Sequence, residues 1–174
     1  MSMANDFLDL AKKLVRYQKA DVLRARLRRA ISTAYYAIFH LLLENGSAKI
    51  VSHPHIRILV GRAYTHSEMV KTAKSFQSGA NSLPAHLTAP FGGTLPALPV
   101  ELTRVAKAFV ILQEARHAAD YDSSKSFTRG DAKVFVSHAS DAFTDWNTVV
   151  SMPIHHDVCE LFLAAMLLGD RLKK

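Results

Sequence analysis

Apolar residues along this chain return at intervals of three and four, and nowhere in sustained alternation, so the pattern predicts helices throughout. Phe7, Leu10, Ala11, Leu14 and Val15 mark a first amphipathic helix from about Asn5 to Lys19, with Asn5 or Asp6 available as its cap. A longer helix follows from about Asp21 to Leu43. Turned through about 100° per residue, Ala30, Ile31, Ala34, Tyr35, Ile38, Leu41 and Leu42 fall on one side, and Arg29, Ser32, Thr33, Tyr36 and His40 on the other. The helix should therefore have a core face and a polar face. Asn45-Gly46, a pair that readily takes the left-handed conformation, is expected to end it.

Weaker periodicity predicts two short helices, from His55 to Tyr64 and from His66 or Ser67 to about Phe76. Residues 78 to 99 contain four prolines and three glycines, break both periodicities, and predict a long loop insert. Pro99 suits the first turn of a helix that runs unbroken to about Asp120, with Val105, Phe109, Leu112 and Ala119 sharing one side with Arg116. Thr128 followed by Asp131 predicts a capping box opening a helix to about Val150. Pro153 opens the last helix, from Ile154 to Leu168, closed by Gly169. The expectation is one all-α domain over residues 1 to 174, an antiparallel bundle of five to seven helices with a Pro/Gly-rich loop.

Composition narrows the function classes. At 174 residues and 49% apolar content the chain can bury one full core. No run approaches the ~18 apolar residues of a membrane span, and charges interrupt the first 18 residues where a signal peptide would be continuous, so no membrane partner is expected. Cys159 stands alone, which excludes an internal disulfide and a thiolate zinc site and suits a reducing, cytoplasmic setting.

Charge adds a location. The net charge is +7, and residues 12 to 29 hold eight basic side chains against one acid, Asp21, while the rest of the chain balances. Lys19, Arg24, Arg28 and Arg29 lie in this stretch, which either faces water or attracts a polyanion such as RNA through phosphate contacts.

Two segments resemble a known family when taken together. LRRAISTAYYAIFHLL, Leu27 to Leu42, resembles the first long core helix of HEPN domains (higher eukaryotes and prokaryotes nucleotide-binding), and RHAADYD, Arg116 to Asp122, resembles the signature those proteins carry at the end of a later helix. The resemblance implies a HEPN-like helical bundle that acts on or binds RNA or nucleotides. It also implies a two-fold homodimer in which the Arg116 to Tyr121 segment meets its symmetry mate. For some relatives it further implies a toxin–antitoxin or defence role and a nucleotidyltransferase partner. In members that cleave RNA the signature is Arg, a polar residue, a short spacer and His. Here Arg116 and His117 match, and Tyr121 stands at the His position. Tyr titrates near ~10 and His near ~6.5, so the exchange weighs against metal-independent endoribonuclease chemistry at that residue. A catalytically inactive module that binds a nucleotide or a protein partner is the alternative.

The chemistry of Arg116 can be read without the family. A guanidinium on a largely apolar helix must find acceptors, and Asp120 at i+4 is one. The pair is then either a structural ion pair or a phosphate grip with Asp120 holding the guanidinium in place. His117 projects about 100° away and could share the site only near the helix end or across a dimer. Ser32, Tyr36 and His40 form a weaker polar stripe. The His53/His55 and His155/His156 pairs lack metal-site spacing, and no phosphate loop or nucleophile elbow is present, so neither metal nor cofactor is expected.

Overall fold

The computed structural model describes residues 2–17, 23–93, 95 and 97–173, and every regular element among them is helical. In chain order they are α1 (Met3–Arg16), α2 (Leu23–Ile50), α3 (Pro54–Gly61), α4 (His66–Gln77), α5 (Ala85–Thr88), α6 (Val100–Tyr121), α7 (Arg129–Val150) and α8 (His156–Leu168), with short 3₁₀ turns between and after them. The all-α expectation is borne out. The count is eight α-helices among the described residues rather than five to seven, and the extra one is α5. It lies inside the segment expected to be a loop.

That segment departs from the expectation for a local reason. Pro84 stands at the cap of α5, Pro90 lies in the first turn of the 3₁₀ helix Ala89–Phe91, and Gly92 closes that turn with φ 72°. Proline costs nothing where a helix begins and glycine nothing where it ends. The breakers therefore punctuate short helices instead of abolishing them, and Leu83, Leu87 and Leu95 are buried.

The chain divides into two compact units, Met1–Leu41 with Ala108–Phe143, and Leu42–Lys107 with Thr144–Lys174. In the first, α1 buries Ala4, Leu8, Ala11 and Val15, spaced four, three and four apart. Ala11 and Val15 of the expected face are buried and Phe7 and Leu14 half-buried, whereas Leu10 is exposed and Ala4 and Leu8 take its place. Phe7 flanks that face and stacks on His40 at 5.2 Å, beside Tyr36 at 5.9 Å. The core face of α2 is as expected: Ala30, Ile31, Ala34, Tyr35, Ile38 and Leu41 are all buried, and Tyr35 meets Phe109 of α6 at 5.5 Å. Its opposite face is only partly a solvent face, because Ser32 and Thr33 are buried too.

α7 opens as expected. The Asp131 amide donates to Thr128 Oγ1 at 3.1 Å, while the Thr128 amide and hydroxyl donate to Asp131 Oδ2 at 2.8 and 2.7 Å. This reciprocal box satisfies amides that the first turn would otherwise leave unpaired. Thr128→Ala should cost about 1 kcal/mol and lower the melting temperature by roughly 2–4 °C. The amide and hydroxyl of Thr128 hold the Asp131 carboxyl below its ordinary range. A depressed carboxyl contributes stability above its unfolded pKa of ~3.9 and loses it as pH falls through the folded value. The cost of Thr128→Ala should accordingly be constant between about pH 7 and 5 and shrink near about pH 3. A cost unchanged near pH 3 would mean that the box does not depend on the carboxylate.

In the second unit α4 packs on α8 around Phe76 and Phe162, 4.8 Å apart, with Trp146 of α7 6.3 Å from Phe162. Thr72 Oγ1 donates to the Ala165 carbonyl at 3.1 Å. α2 does not stop at Asn45-Gly46 but continues to Ile50. Gly46 serves there as a place of close approach: a Cβ at 46 would collide with the hydroxyl of buried Tyr64. Local propensity favoured a stop, and packing against Tyr64 uses the same glycine inside the helix. Gly169 does end α8, with φ 51°. Among the described residues no single helix is long and apolar enough to cross a membrane.

Candidate functional site

Arg28, Ser32, Tyr36 and His40 recur every fourth residue and so form one ridge of α2. Opposite the first three of them lies the last turn of α6. Arg28 Nη1 donates to the Ala119 carbonyl at 2.7 Å, Ser32 Oγ to Asp120 Oδ1 at 2.5 Å, and the Tyr36 hydroxyl accepts from Arg116 Nη2 at 3.1 Å.

Arg116 sits at the inner end of this contact. Its Nε lies 2.8 Å from Asp120 Oδ2, with side chains 18% and 28% exposed, and the N–H is poorly aimed for a hydrogen bond, so charge rather than directional bonding holds the pair. The guanidinium also faces the rings of Tyr36 at 5.7 Å and Tyr121 at 5.4 Å. Burial works against its charge, but the Tyr36 hydrogen bond and the Asp120 carboxylate outweigh that, and its pKa is raised. The neighbouring Tyr35 hydroxyl is pushed up by burial, opposed by Arg116. Arg116 is thus cationic at any accessible pH, with a hydroxyl, a carboxylate and two rings fixing its plane.

Arg28 has a task that the sequence reading did not assign to it. Besides Ala119, its guanidinium donates to the carbonyls of Ala118 (3.4 Å), Asp122 (2.7 Å) and Lys125. It caps the C-terminus of α6 and ties down the turn that follows, where Asp122 Oδ1 accepts from the amides of Ser124 and Lys125. A cation at a helix C-terminus also meets the negative end of the helix dipole. Arg24 reaches the Ser123 carbonyl of the same turn.

Two features kept apart in the sequence therefore converge. Arg24, Ala25, Arg28, Ala119, Asp120, Tyr121 and Ser123 line one open cleft of about 540 Å³. The basic stretch and the Arg116 to Asp122 segment share it, and Tyr121, 66% exposed, stands at its edge. Arg116 does not line the cleft but backs onto it through Asp120 and Tyr121. His117 is exposed, and its ring lies 5.2 Å from that of Tyr121. Its 100° offset from Arg116 is bridged within one chain, because Tyr121 touches both. Arg29 is exposed and lines no part of the cleft, and Lys19 lies outside the described residues. Ser32 and Tyr36 belong to the Arg116 network, whereas His40 is packed among Phe7 and Phe39.

The clue to the role of Arg28 was its position four residues before Ser32 and eight before Tyr36, on the stripe already picked out. Among the described residues no cluster of three or more His, Cys, Asp or Glu side chains could hold a metal ion. Cys159 is buried, and burial pushes its thiol pKa up to about 11, which leaves it a poor nucleophile. No protein-family model, curated protein or solved structure matches the chain.

Proposed function

We propose that the chain is a HEPN-like helical bundle that acts on or binds RNA or a nucleotide at the cleft between the start of α2 and the end of α6. One observation carries the reading: the basic start of α2 and the Arg116 to Tyr121 segment meet in one cleft with an exposed aromatic ring at its rim. Its volume suits a nucleotide. Phosphate oxygens would meet Arg24, exposed Arg29 next to Arg28 on α2 would add its charge outside the cleft lining, a base would stack on Tyr121, and the Arg116 guanidinium would lend its charge from behind Asp120 and Tyr121. Asp120 is a positioning residue that holds Arg116 in place with the help of Ser32. A two-fold homodimer pairing two such clefts, an intracellular toxin–antitoxin or defence role, and a nucleotidyltransferase partner belong to the same proposal and rest on the resemblance of Leu27–Leu42 and Arg116–Asp122.

The contact between His117 and Tyr121 favours a second reading, metal-independent RNA cleavage. In that reading His117 takes the proton of the attacking 2′-hydroxyl, Arg116 stabilises the charge that develops on the phosphorus oxygens, and the P–O5′ bond breaks to leave a 2′,3′-cyclic phosphate and a 5′-oxygen protonated from water.

Anisotropy of a labelled single-stranded RNA and of a labelled adenine nucleotide, between roughly 50 and 200 mM salt, tests the binding. At least one probe should bind with affinity falling steeply with salt. Arg29→Glu should cost about tenfold and flatten the salt slope, and Tyr121→Ala should cost at least about fivefold, with unchanged melting. Salt-independent binding of both probes, or none at low salt, would overturn the reading. RNA cleavage lost in His117→Ala and retained in Tyr121→Phe would establish the second reading. No cleavage by the unaltered protein would leave binding alone.

A further inference from the structure

Two tyrosines of the first unit are set in the same way. Tyr17, just past the end of α1, is 50% exposed, and the Arg26 guanidinium lies over its ring at 4.8 Å. Tyr121, at the end of α6, is 66% exposed, with Arg116 over its ring at 5.4 Å. Each ring thus has a guanidinium against one face and open surface besides. Arg26 is the more deeply placed of the two cations. It is 9% exposed, and none of its three guanidinium nitrogens has a hydrogen-bond partner among the described residues. A buried cation without acceptors is costly, and the Tyr17 ring offsets only part of that cost. The nitrogens are sealed from solvent, so an incoming group meets the ring and not the guanidinium beneath it.

The two rings flank the start of α2 from opposite sides. At about 100° per residue, Arg24, Arg28, Ala25, Arg29 and Arg26 follow one another around the helix, and Arg24 and Arg26 stand about 200° apart. Arg24 and Ala25 line the cleft that Tyr121 edges, and Arg26 carries Tyr17. On the arc between them Ala25 and Arg29 are exposed. Ala25 is small enough for another backbone to pass close by, and Arg29 has no carboxylate partner among the described residues. Lys13 and Arg16, in the last turn of α1, are exposed and equally unpaired there. From residue 12 to residue 43 the sequence holds one acid, Asp21, which lies outside the described residues.

Charge alone would suit any polyanion. Two exposed rings, each backed by a cation, select one whose bases are unpaired, because a duplex keeps its bases stacked on each other. A free nucleotide would occupy one ring only. A helix is about 10–12 Å across and a stacked strand advances about 3.4 Å per nucleotide, so covering both rings takes at least about three nucleotides.

We propose that Tyr17 is a second stacking site and that the ligand is a single-stranded RNA. One base lies on Tyr121 and a later base on Tyr17, and the connecting phosphates cross α2 over Ala25 against Arg29. The inference deepens the RNA reading and rests on it.

The test is the anisotropy of labelled adenylate dinucleotide and octanucleotide with the full chain at about 50 mM salt. The octanucleotide should bind at least about tenfold tighter than the dinucleotide, which the cleft holds alone. Tyr17→Leu still covers Arg26 but offers no ring face. It should weaken the octanucleotide by at least about fivefold and leave the dinucleotide within about twofold, whereas Tyr17→Phe should bind both as the unaltered protein does. Both variants should melt as the unaltered protein does. Octanucleotide binding that survives Tyr17→Leu, or that falls equally in Tyr17→Phe, would overturn the inference and leave the RNA reading standing. So would a dinucleotide that binds as tightly as the octanucleotide. Failure of the unaltered protein to bind either length would overturn the RNA reading and this inference together.

Discussion

Arg28→Glu is expected to destabilise the protein by more than about 3 kcal/mol and to lower its melting temperature by roughly 6–12 °C, whether or not any ligand is present. Four carbonyl oxygens, those of Ala118, Ala119, Asp122 and Lys125, converge on one guanidinium. A carboxylate in its place would face oxygen atoms and the negative end of α6. Arg28→Ala removes the donors without adding repulsion and should cost about 2–3 kcal/mol. Loss of RNA binding in an Arg24/Arg28 reversal therefore cannot by itself be assigned to a lost phosphate contact, and Arg29 is the position at which charge can be reversed without disturbing the turn. A melt of Arg28→Glu within about 1 °C of the unaltered protein would show that the carbonyl cluster is not what holds the end of α6.

Arg116→Ala should cost about 2–3 kcal/mol, less than the ~3–5 of a fully buried pair because both side chains keep some exposure. Against typical domain stabilities of ~5–15 kcal/mol the variant still folds cooperatively. The double variant Arg116→Ala/Asp120→Ala should recover at least half of that loss, since it leaves no uncompensated carboxylate. Ligand binding should fail by at least about tenfold in both variants. Arg116→Lys, which keeps the charge but not the planar fork, should bind with intermediate affinity. Binding that returns with stability in the double variant would assign Arg116 to structure alone and remove it from the proposed site.

Much of the fold was legible because helical periodicity is a local property. The core face of α2, the Thr128/Asp131 box, the Gly169 stop and the absence of strand patterning all follow from residues within a turn or two of one another. Misreadings arose where one residue type serves opposite ends. Gly46 was expected to end α2 by its left-handed propensity, and the structure uses its missing side chain to seat Tyr64 within the helix. Proline propensity alone predicts a break over residues 78 to 99, whereas Pro84 and Pro90 start short helices there. The face of α1 holds at Ala11 and Val15 and fails at Leu10, because Leu8 and Leu10 look alike in sequence and only the neighbouring helices decide which leucine is covered.

The candidate site divides in the same way. The sequence by itself determined that a cationic stretch, a polar stripe at Ser32, Tyr36 and His40, and an Arg116–Asp120 pair exist, since spacing along a helix places them. Tertiary structure alone decided that Ser32 and Tyr36 hold that pair while His40 packs beside Phe7. It also decided that Arg28 is a cap for α6, and that Arg24, Asp120 and Tyr121 share one cleft. The physical reason is separation along the chain: Arg28 and Ala119 are 91 residues apart, and Ser32 and Asp120 are 88. Periodicity reports which side of a helix a residue occupies, whereas the partner it meets there is set by how the helices pack.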